Sequence, residues 1–303
     1  MNKEALLPYL LDNRELNKKQ EKALKSLFKE IAAKKNDERD AEDWFILGAS
    51  EQRDEQFDEA LDAFTFAIEA NPEFEAAWKF RATTHGLLGD WESANTDINK
   101  AIEIDDSYVD AYVERAAILR HDKKWKEALA DLDKALELGP ESDEAIMLKA
   151  KTLYDSGDYK GSIEAYTEAL EEDNANVEAL ASRGLAYFFE GEAELALADI
   201  RKSRTLEGGS TVSEFNMGLV MSALPEHSKQ AYRHFEKAFK KDRKMLARYV
   251  EMSESFESKR LLSRLDEILK DLEKRKDENF YTSELYDLLD RRIQEAREVA
   301  KKD

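Results

Sequence analysis

Catalysis needs groups that titrate, attack or coordinate. This chain carries 67 Asp and Glu, 47 Lys and Arg, four His and no Cys. Without cysteine, thiolate nucleophiles, disulfides and Cys-ligated zinc are excluded. The histidines, His85, His121, His227 and His234, form no His-Glu-x-x-His pair, and none stands in a triad-like spacing with a serine. His227 and His234 share one helix face at best. No Gly-x-x-x-x-Gly-Lys-Ser/Thr loop is present to cradle a phosphate. The acidic stretch DNANVE (173–178) lacks the glycine and closing glutamate of a calcium loop. These residues argue against an enzyme, and neither a metal nor a cofactor is expected.

One charge pattern is ordered. Arg81 is followed sixteen residues later by Asp97, Arg115 by Asp131 and Arg183 by Asp199. At the corresponding places Leu47 and Met217 have no aspartate partner, and Lys149 faces Ala165, with Glu164 one residue earlier. The two signs come and go together. Antiparallel helices joined by a short turn would bring such positions face to face, and a bidentate Arg–Asp pair would bridge them. Because the pattern recurs along the chain, it reads as structural ion pairs; a ligand-binding role for these charges is the alternative.

The elements that must position these pairs repeat with the same regularity. In DEALDAFTFAIEANP (58–72), Ala60, Phe64 and Ala67 lie on one helical face, and Pro72 follows the run. Trp44 is followed by Trp78, Tyr112, Ile146 and Leu180 at steps of 34 residues. Ala60 recurs as Ala94, Ala128, Ser162 and Ala196; Ala67 as Ala101, Ala135, Ala169 and Ser203; Phe64 as Ile98, Leu132, Tyr166 and Ile200. Gly48, Ala82, Ala116, Ala150 and Gly184 hold a small residue on each first helix, where another helix must come close. A 34-residue period of paired helices is the signature of a tetratricopeptide repeat (TPR). Over about residues 41–244 the chain resembles the TPR family.

The resemblance implies an all-α fold, a right-handed α-solenoid of stacked helix-turn-helix units with helical caps. Residues 1–40 are expected to form N-terminal capping helices, with Leu24, Phe28 and Ile31 on the apolar face. Six units are expected at 41–74, 75–108, 109–142, 143–176, 177–210 and 211–244. The sixth takes an extra residue in its LPEHSK turn, and Thr211 with Glu214 reads as a capping box. Residues 245–303 are expected to hold a decayed seventh unit, with Tyr249, Met252, Ser253 and Phe256 on its first helix and Leu262, Leu265, Leu269 and Leu272 on its second. A C-terminal capping helix from about Ser283 carries Leu285, Leu288, Leu289, Ile293, Ala296 and Val299 on one face; a dimerisation helix is the alternative there.

In the family the first helices line a concave groove that holds a peptide. Carried over, Lys79, Phe80, Arg120, Lys151, Tyr154, Phe188 and Phe189 are the candidate partner-binding residues, with Phe45, Ala49, Thr83, Glu114, Ala117, Leu185 and Phe215 beside them. Tyr154 and the Phe188–Phe189 pair next to Lys151 suit a peptide with an apolar anchor and an acidic neighbour. The alternative is that these aromatics pack against the next unit. Some TPR proteins clamp a chaperone's C-terminal carboxylate with lysines and asparagines. Phe45, Ala49, Phe80, Asp110 and Glu114 stand at the matching positions here, so a chaperone tail is not the expected partner. The resemblance implies a non-catalytic scaffold for a protein or peptide. Alternatives are a structural subunit of a larger assembly, contacting partners through a basic C-terminal region, or a regulatory domain of an enzyme complex.

The formal net charge is −20, which disfavours nucleic acid as a partner. Two stretches run against it, KKQEKALKSLFKEIAAKK near the start and 229–248. The second reads as solvated helix surface or as a docking patch for an acidic partner around Arg233, Lys237, Lys240, Lys241, Arg243 and Lys244. No apolar stretch approaches a membrane span, and the first residues lack a signal-peptide pattern. No membrane contact is expected, and a cytoplasmic location is.

Overall fold

The computed structural model describes Lys3, residues 17–247 and residues 256–299. The short helix expected before residue 17, and Tyr249, Met252 and Ser253 of the seventh unit, lie outside the described residues. Among the described residues there are fifteen α-helices and no strand. They are α1 (Lys18–Ala33), α2 (Ala41–Arg53), α3 (Phe57–Ala70), α4 (Glu75–Leu87), α5 (Trp91–Ile104), α6 (Val109–His121), α7 (Trp125–Leu138), α8 (Asp143–Ser156), α9 (Tyr159–Glu172), α10 (Val177–Glu190), α11 (Ala193–Glu207), α12 (Thr211–Ser222), α13 (Ser228–Lys241), α14 (Phe256–Arg275) and α15 (Phe280–Val299). The chain divides into two compact units, Met1–Ala145 and Ile146–Asp303.

Short polar side chains start several of these helices. Asp40, Asp90, Asp158, Asn176 and Ser210 each accept a hydrogen bond from a backbone N–H of the first turn. The turn after each of the first five first helices, α2, α4, α6, α8 and α10, holds a left-handed residue. Gly89, Gly157 and Gly191 supply it without steric cost, whereas Glu55 and Lys123 adopt φ of 60° at the same repeat position. Before α12 the cap is Ser210, bonded to Ser213 N–H, rather than the expected Thr211–Glu214 box. Glu214 is drawn away by an ion pair with Arg204 and a hydrogen bond with His234.

In the first unit α2 pairs with α3, α4 with α5 and α6 with α7. Small residues let each pair close. A Cβ on Gly48 would lie 2.8 Å from the Phe64 ring, and Ala60, Ala67, Ala82, Ala94, Ala101 and Ala116 are fully buried. α1 lays Leu24, Leu27 and Ile31 on this core, with Phe28 partly buried beside them. Its C-terminal carbonyls are capped by Arg39, which donates to Ile31 O, Ala32 O and Lys34 O. α2 touches α4, and α4 touches α6, whereas consecutive second helices do not meet to that extent. The first helices therefore lie on the inner side of the stack.

The second unit repeats the device in α10–α11 and α12–α13. A Cβ on Gly184 would stand 2.8 Å from Ile200, and one on Gly218 2.8 Å from Phe235. Where serine replaces alanine it finds an acceptor: Ser162 donates to Ala150 O and Ser203 to Val177 O. α10 also touches α12 directly. The last two helices close the unit. α15 begins at Phe280, three residues before the expected start, and packs on α13 and α14 through Leu285, Leu288, Leu289, Ile293 and Ala296. α14 buries Leu261, Leu265, Ile268 and Leu272, one face at helical spacing, with Leu262 and Leu269 partly buried at its border.

Candidate functional site

The repeated charges are internal clamps. Arg81 reaches Asp97 through Nε and Nη2 at 2.7 and 2.8 Å; Arg115 reaches Asp131 at 2.7 and 2.7 Å; Arg183 reaches Asp199 at 2.7 and 2.9 Å. The third nitrogen of each guanidinium, Nη1, binds a residue sixteen positions earlier on the preceding second helix. These are Thr65 at 3.1 Å, Asn99 at 2.9 Å and Thr167 at 3.1 Å. Each arginine thus ties its first helix to two second helices. The Thr/Asn/Thr arm escaped the sequence reading, although its spacing of sixteen residues mirrors that of the aspartates. The guanidinium planes also lie over aromatic rings, Trp78 at 4.9 Å, Tyr112 at 5.5 Å and Tyr187 at 5.8 Å. Interactions with the aspartate raise the pKa of Arg115 and Arg183, against the opposing effect of burial. With their donors turned inward, these arginines form structure rather than surface.

On the inner face of the first unit, Phe80 is not available to a ligand. It is buried with Phe45 and Phe64, ring centroids 5.0 and 5.9 Å away, because α2 and α4 approach closely enough to close over it. Phe45 and Ala49 are buried too. What remains at the surface is Lys79, whose ammonium sits 4.6 Å above the Phe80 ring, with Thr83, Glu114, Ala117 and Arg120, all half-buried. Leu87 and Leu88, at the end of α4, are exposed at 58% and 48%. Burial raises the pKa of Glu114; Lys79 and a hydrogen bond with Thr83 oppose the shift, and Glu144 and Asp110 add to it.

The inner face of the second unit is covered in part, with Lys151, Tyr154, Leu185 and Phe189 half-buried. Phe188 is 1% exposed, and Phe189 stacks on Tyr159 at 5.3 Å with its edge toward Tyr154. α14 lies against this cluster. Arg260 donates to Tyr154 O at 2.7 Å and Asp155 O at 3.3 Å, the last carbonyls of α8, and its guanidinium lies 4.9 Å from the Tyr159 ring centre. One turn on, Arg264 lies 5.0 Å from the Phe188 ring centre. Lys151 is engaged by Glu178 at 2.8 Å. Of the expected open aromatics beside a lysine, Phe188 is buried, and Tyr154 and Phe189 are half-buried against the chain's own helix. Further along, every residue of α12 from Ser213 to Ser222 is buried. A cleft of about 590 Å³ persists at the edge of α14, lined by Tyr159, Phe189, Glu190, Lys259, Arg260 and Arg264 among others. Arg260 and Arg264 were invisible to the sequence reading because their partners lie more than 70 residues away and carry no periodic signal.

The tetratricopeptide repeat sequence profile matches residues 47–107 and 81–143, and a second TPR repeat profile matches 150–191. Residues 47–143 and 150–191 are tetratricopeptide repeats. A curated relative, a Protein SGT1 homolog of Oryza sativa subsp. japonica, is 41% identical over 64 residues. That stretch is 21% of this chain and 17% of the relative, so the chain matches about a sixth of that protein's length. Among solved structures, YrrB, described as a TPR protein with an unusual peptide-binding site, superposes with a TM-score of 0.52 at 24% identity, covering 61% of this chain and 95% of that one. PilW, a type IV pilus biogenesis factor, gives 0.63 at 17% identity over 68% of this chain and 94% of its own. These likenesses share the TPR fold.

As a TPR protein the chain is a protein-interaction scaffold, and the fold is typically non-catalytic. Among the described residues no group of His, Asp and Glu is arranged to hold a metal ion, and no helix is long and apolar enough to cross a membrane.

Proposed function

We propose that this TPR protein is a non-catalytic scaffold that captures an extended peptide on the inner face of its first unit, across α4 and α6. Lys79 and Arg120 supply positive charge, Thr83 and Glu114 polar contacts, and Ala117 the space for a partner side chain. Leu87 offers an apolar anchor at the rim. The observation that carries this reading is the contrast in covering. The same face of the second unit is engaged by Arg260 and Arg264 of α14 on its aromatic residues, whereas in the first unit Lys79, Thr83, Glu114 and Arg120 are half-buried polar side chains.

A displayed peptide library selected on the full chain tests the proposal. Selected peptides should protect amides of α4 and α6 from hydrogen exchange. Ala117→Trp, which fills the face without touching the core, should weaken them by about tenfold or more, roughly 1.4 kcal/mol, at an unchanged Tm. Ligands that protect other helices, or that tolerate Ala117→Trp, would contradict it.

A further inference from the structure

The outer surface of α13 differs from that of the other second helices. α3 exposes Asp58, Glu59, Asp62 and Glu69, and α9 exposes Glu164, Glu168, Glu171 and Glu172 against one lysine. α13 and the turn after it expose Lys229, Arg233, Lys237, Lys240, Lys241, Arg243 and Lys244 against a single exposed acid, Glu236. Some exposed cations on other second helices are answered at i+3, as in Lys100–Glu103 at 3.2 Å and Lys134–Glu137 at 3.1 Å. Here Lys229 sits 4.9 Å from the Tyr281 ring and Lys241 donates to Gly209 O. The side chains of Arg233, Lys237, Lys240, Arg243 and Lys244 have no hydrogen bond or ion pair among the described residues. Arg233, Lys237 and Lys240 step by four and three, so they form one stripe on α13, and Lys244 follows in the turn beyond its end. Like charges at that spacing repel and weaken the helix that carries them. Favourable placement near a helix C-terminus explains Lys240 and Lys241, but not Arg233 or Lys237.

We infer that this stripe is a docking surface for an acidic polypeptide segment, separate from the inner face of the first unit. Charge decides the partner. In a chain of net charge −20, a local cationic stripe attracts a short acidic segment that reaches it alone. A long phosphate backbone would also meet the acidic surroundings. The exposed positions of α13 carry no aromatic ring on which a base could stack and no apolar side chain to enter a bilayer. The stripe reads charge and not a chain end, so it differs from a clamp for a terminal carboxylate.

The probe is a short fluorescein-labelled peptide of alternating glutamate and aspartate with an amidated C-terminus, titrated with the full chain by anisotropy at low and physiological salt. Wild type should bind with a clear salt dependence. The Arg233→Glu, Lys237→Glu, Lys244→Glu variant should weaken binding by at least about tenfold and flatten that dependence. A control variant, Lys18→Glu, Lys22→Glu, Lys25→Glu, makes the same change in net charge on exposed positions of α1 and should retain most of the affinity. If the α13 charge reversal unfolds the protein, glutamine at the same three positions replaces it, with the same expected loss. Equal weakening by both charge reversals would reduce the effect to net charge and overturn the proposal. So would absence of binding by wild type, or tighter capture of single-stranded RNA or phosphatidylserine vesicles than of the peptide.

Discussion

The two units are built from the same helix pair yet treat its inner face in opposite ways. In Met1–Ala145 the first helices α4 and α6 keep Lys79, Thr83, Glu114 and Arg120 at the surface and send Phe80 inward. In Ile146–Asp303 the corresponding face is richer in apolar residues, buried at Phe188 and along α12 and half-buried at Tyr154, Leu185 and Phe189. α14 supplies Leu261, Leu265, Ile268 and Leu272 to one core with Phe188, Phe215 and Phe235. The difference is written in side-chain type. α6 carries Asp110, Glu114 and Arg120 among its apolar residues, whereas α12 reads FNMGLVMS over 215–222, apolar on every side at its centre. A helix apolar all round must be buried all round. Repeat geometry thus creates an inner face, and the residues on it decide whether the chain's own helix packs there.

The covering helix should be the most costly part to damage. Leu265 is fully buried, and Leu265→Ala should cost about 2–5 kcal/mol, the range for a truncated core leucine. Urea unfolding followed by hydrogen exchange should show the loss in α10–α15 and leave α1–α7 unchanged. A loss of less than about 1 kcal/mol would mean that α14 lies on the second unit without being part of its core.

The clamps sharpen the comparison from the other side, since both units use them. Asp131→Ala strands Arg115 in the first unit, and Asp199→Ala strands Arg183 in the second. These pairs are partly shielded from water, so each substitution should cost about 2–3 kcal/mol, somewhat below the roughly 3–5 of a fully buried pair. The two losses should be similar by thermal melt. An effect confined to one unit would show that the clamp depends on what covers the inner face.

Acid should act on both units through one carboxylate each. Burial alone would raise the pKa of Asp43 in the first unit and Glu214 in the second. Lys34 and Lys3 outweigh it at Asp43, and Arg204 and His234 at Glu214, so both carboxyls lie below their usual range. A lowered native pKa contributes stability that is fully present above the unfolded value, about 4, and is lost as pH falls through the native value. Stability should therefore decline below about pH 4, and Asp43→Asn or Glu214→Gln should reduce stability at neutral pH while flattening the acid limb. An unchanged acid limb in both variants would assign acid sensitivity to other groups.

What could be read from the sequence was whatever repeats. The 34-residue recurrence of Trp44, Gly48, Ala60 and Ala67 specified paired helices because each small residue marks a close approach imposed by every layer. The Arg–Asp spacing was legible for the same reason. The inner face was not. Phe80 and Lys79 are neighbours on one helix, and only the closeness of α2 to α4 decides that the ring goes in and the ammonium stays out. The covering of Tyr154 and Phe188 depends on Arg260 and Arg264, a contact across 106 residues in the case of Tyr154. That contact occurs once, so no periodicity announces it.

The contrast between the two faces is tested most directly by thiol labelling, which the absence of native cysteine makes clean. Ala117 on α6 and Leu219 on α12 occupy equivalent repeat positions, the first half-buried and the second 1% exposed. A single cysteine at Ala117→Cys should react with a maleimide without unfolding of the first unit. Leu219→Cys should react only through unfolding of the second unit, at least about a hundredfold more slowly if that opening costs roughly 3 kcal/mol or more. Equal rates at the two positions would contradict the account, because the inner faces of the two units would then be equally open or equally closed.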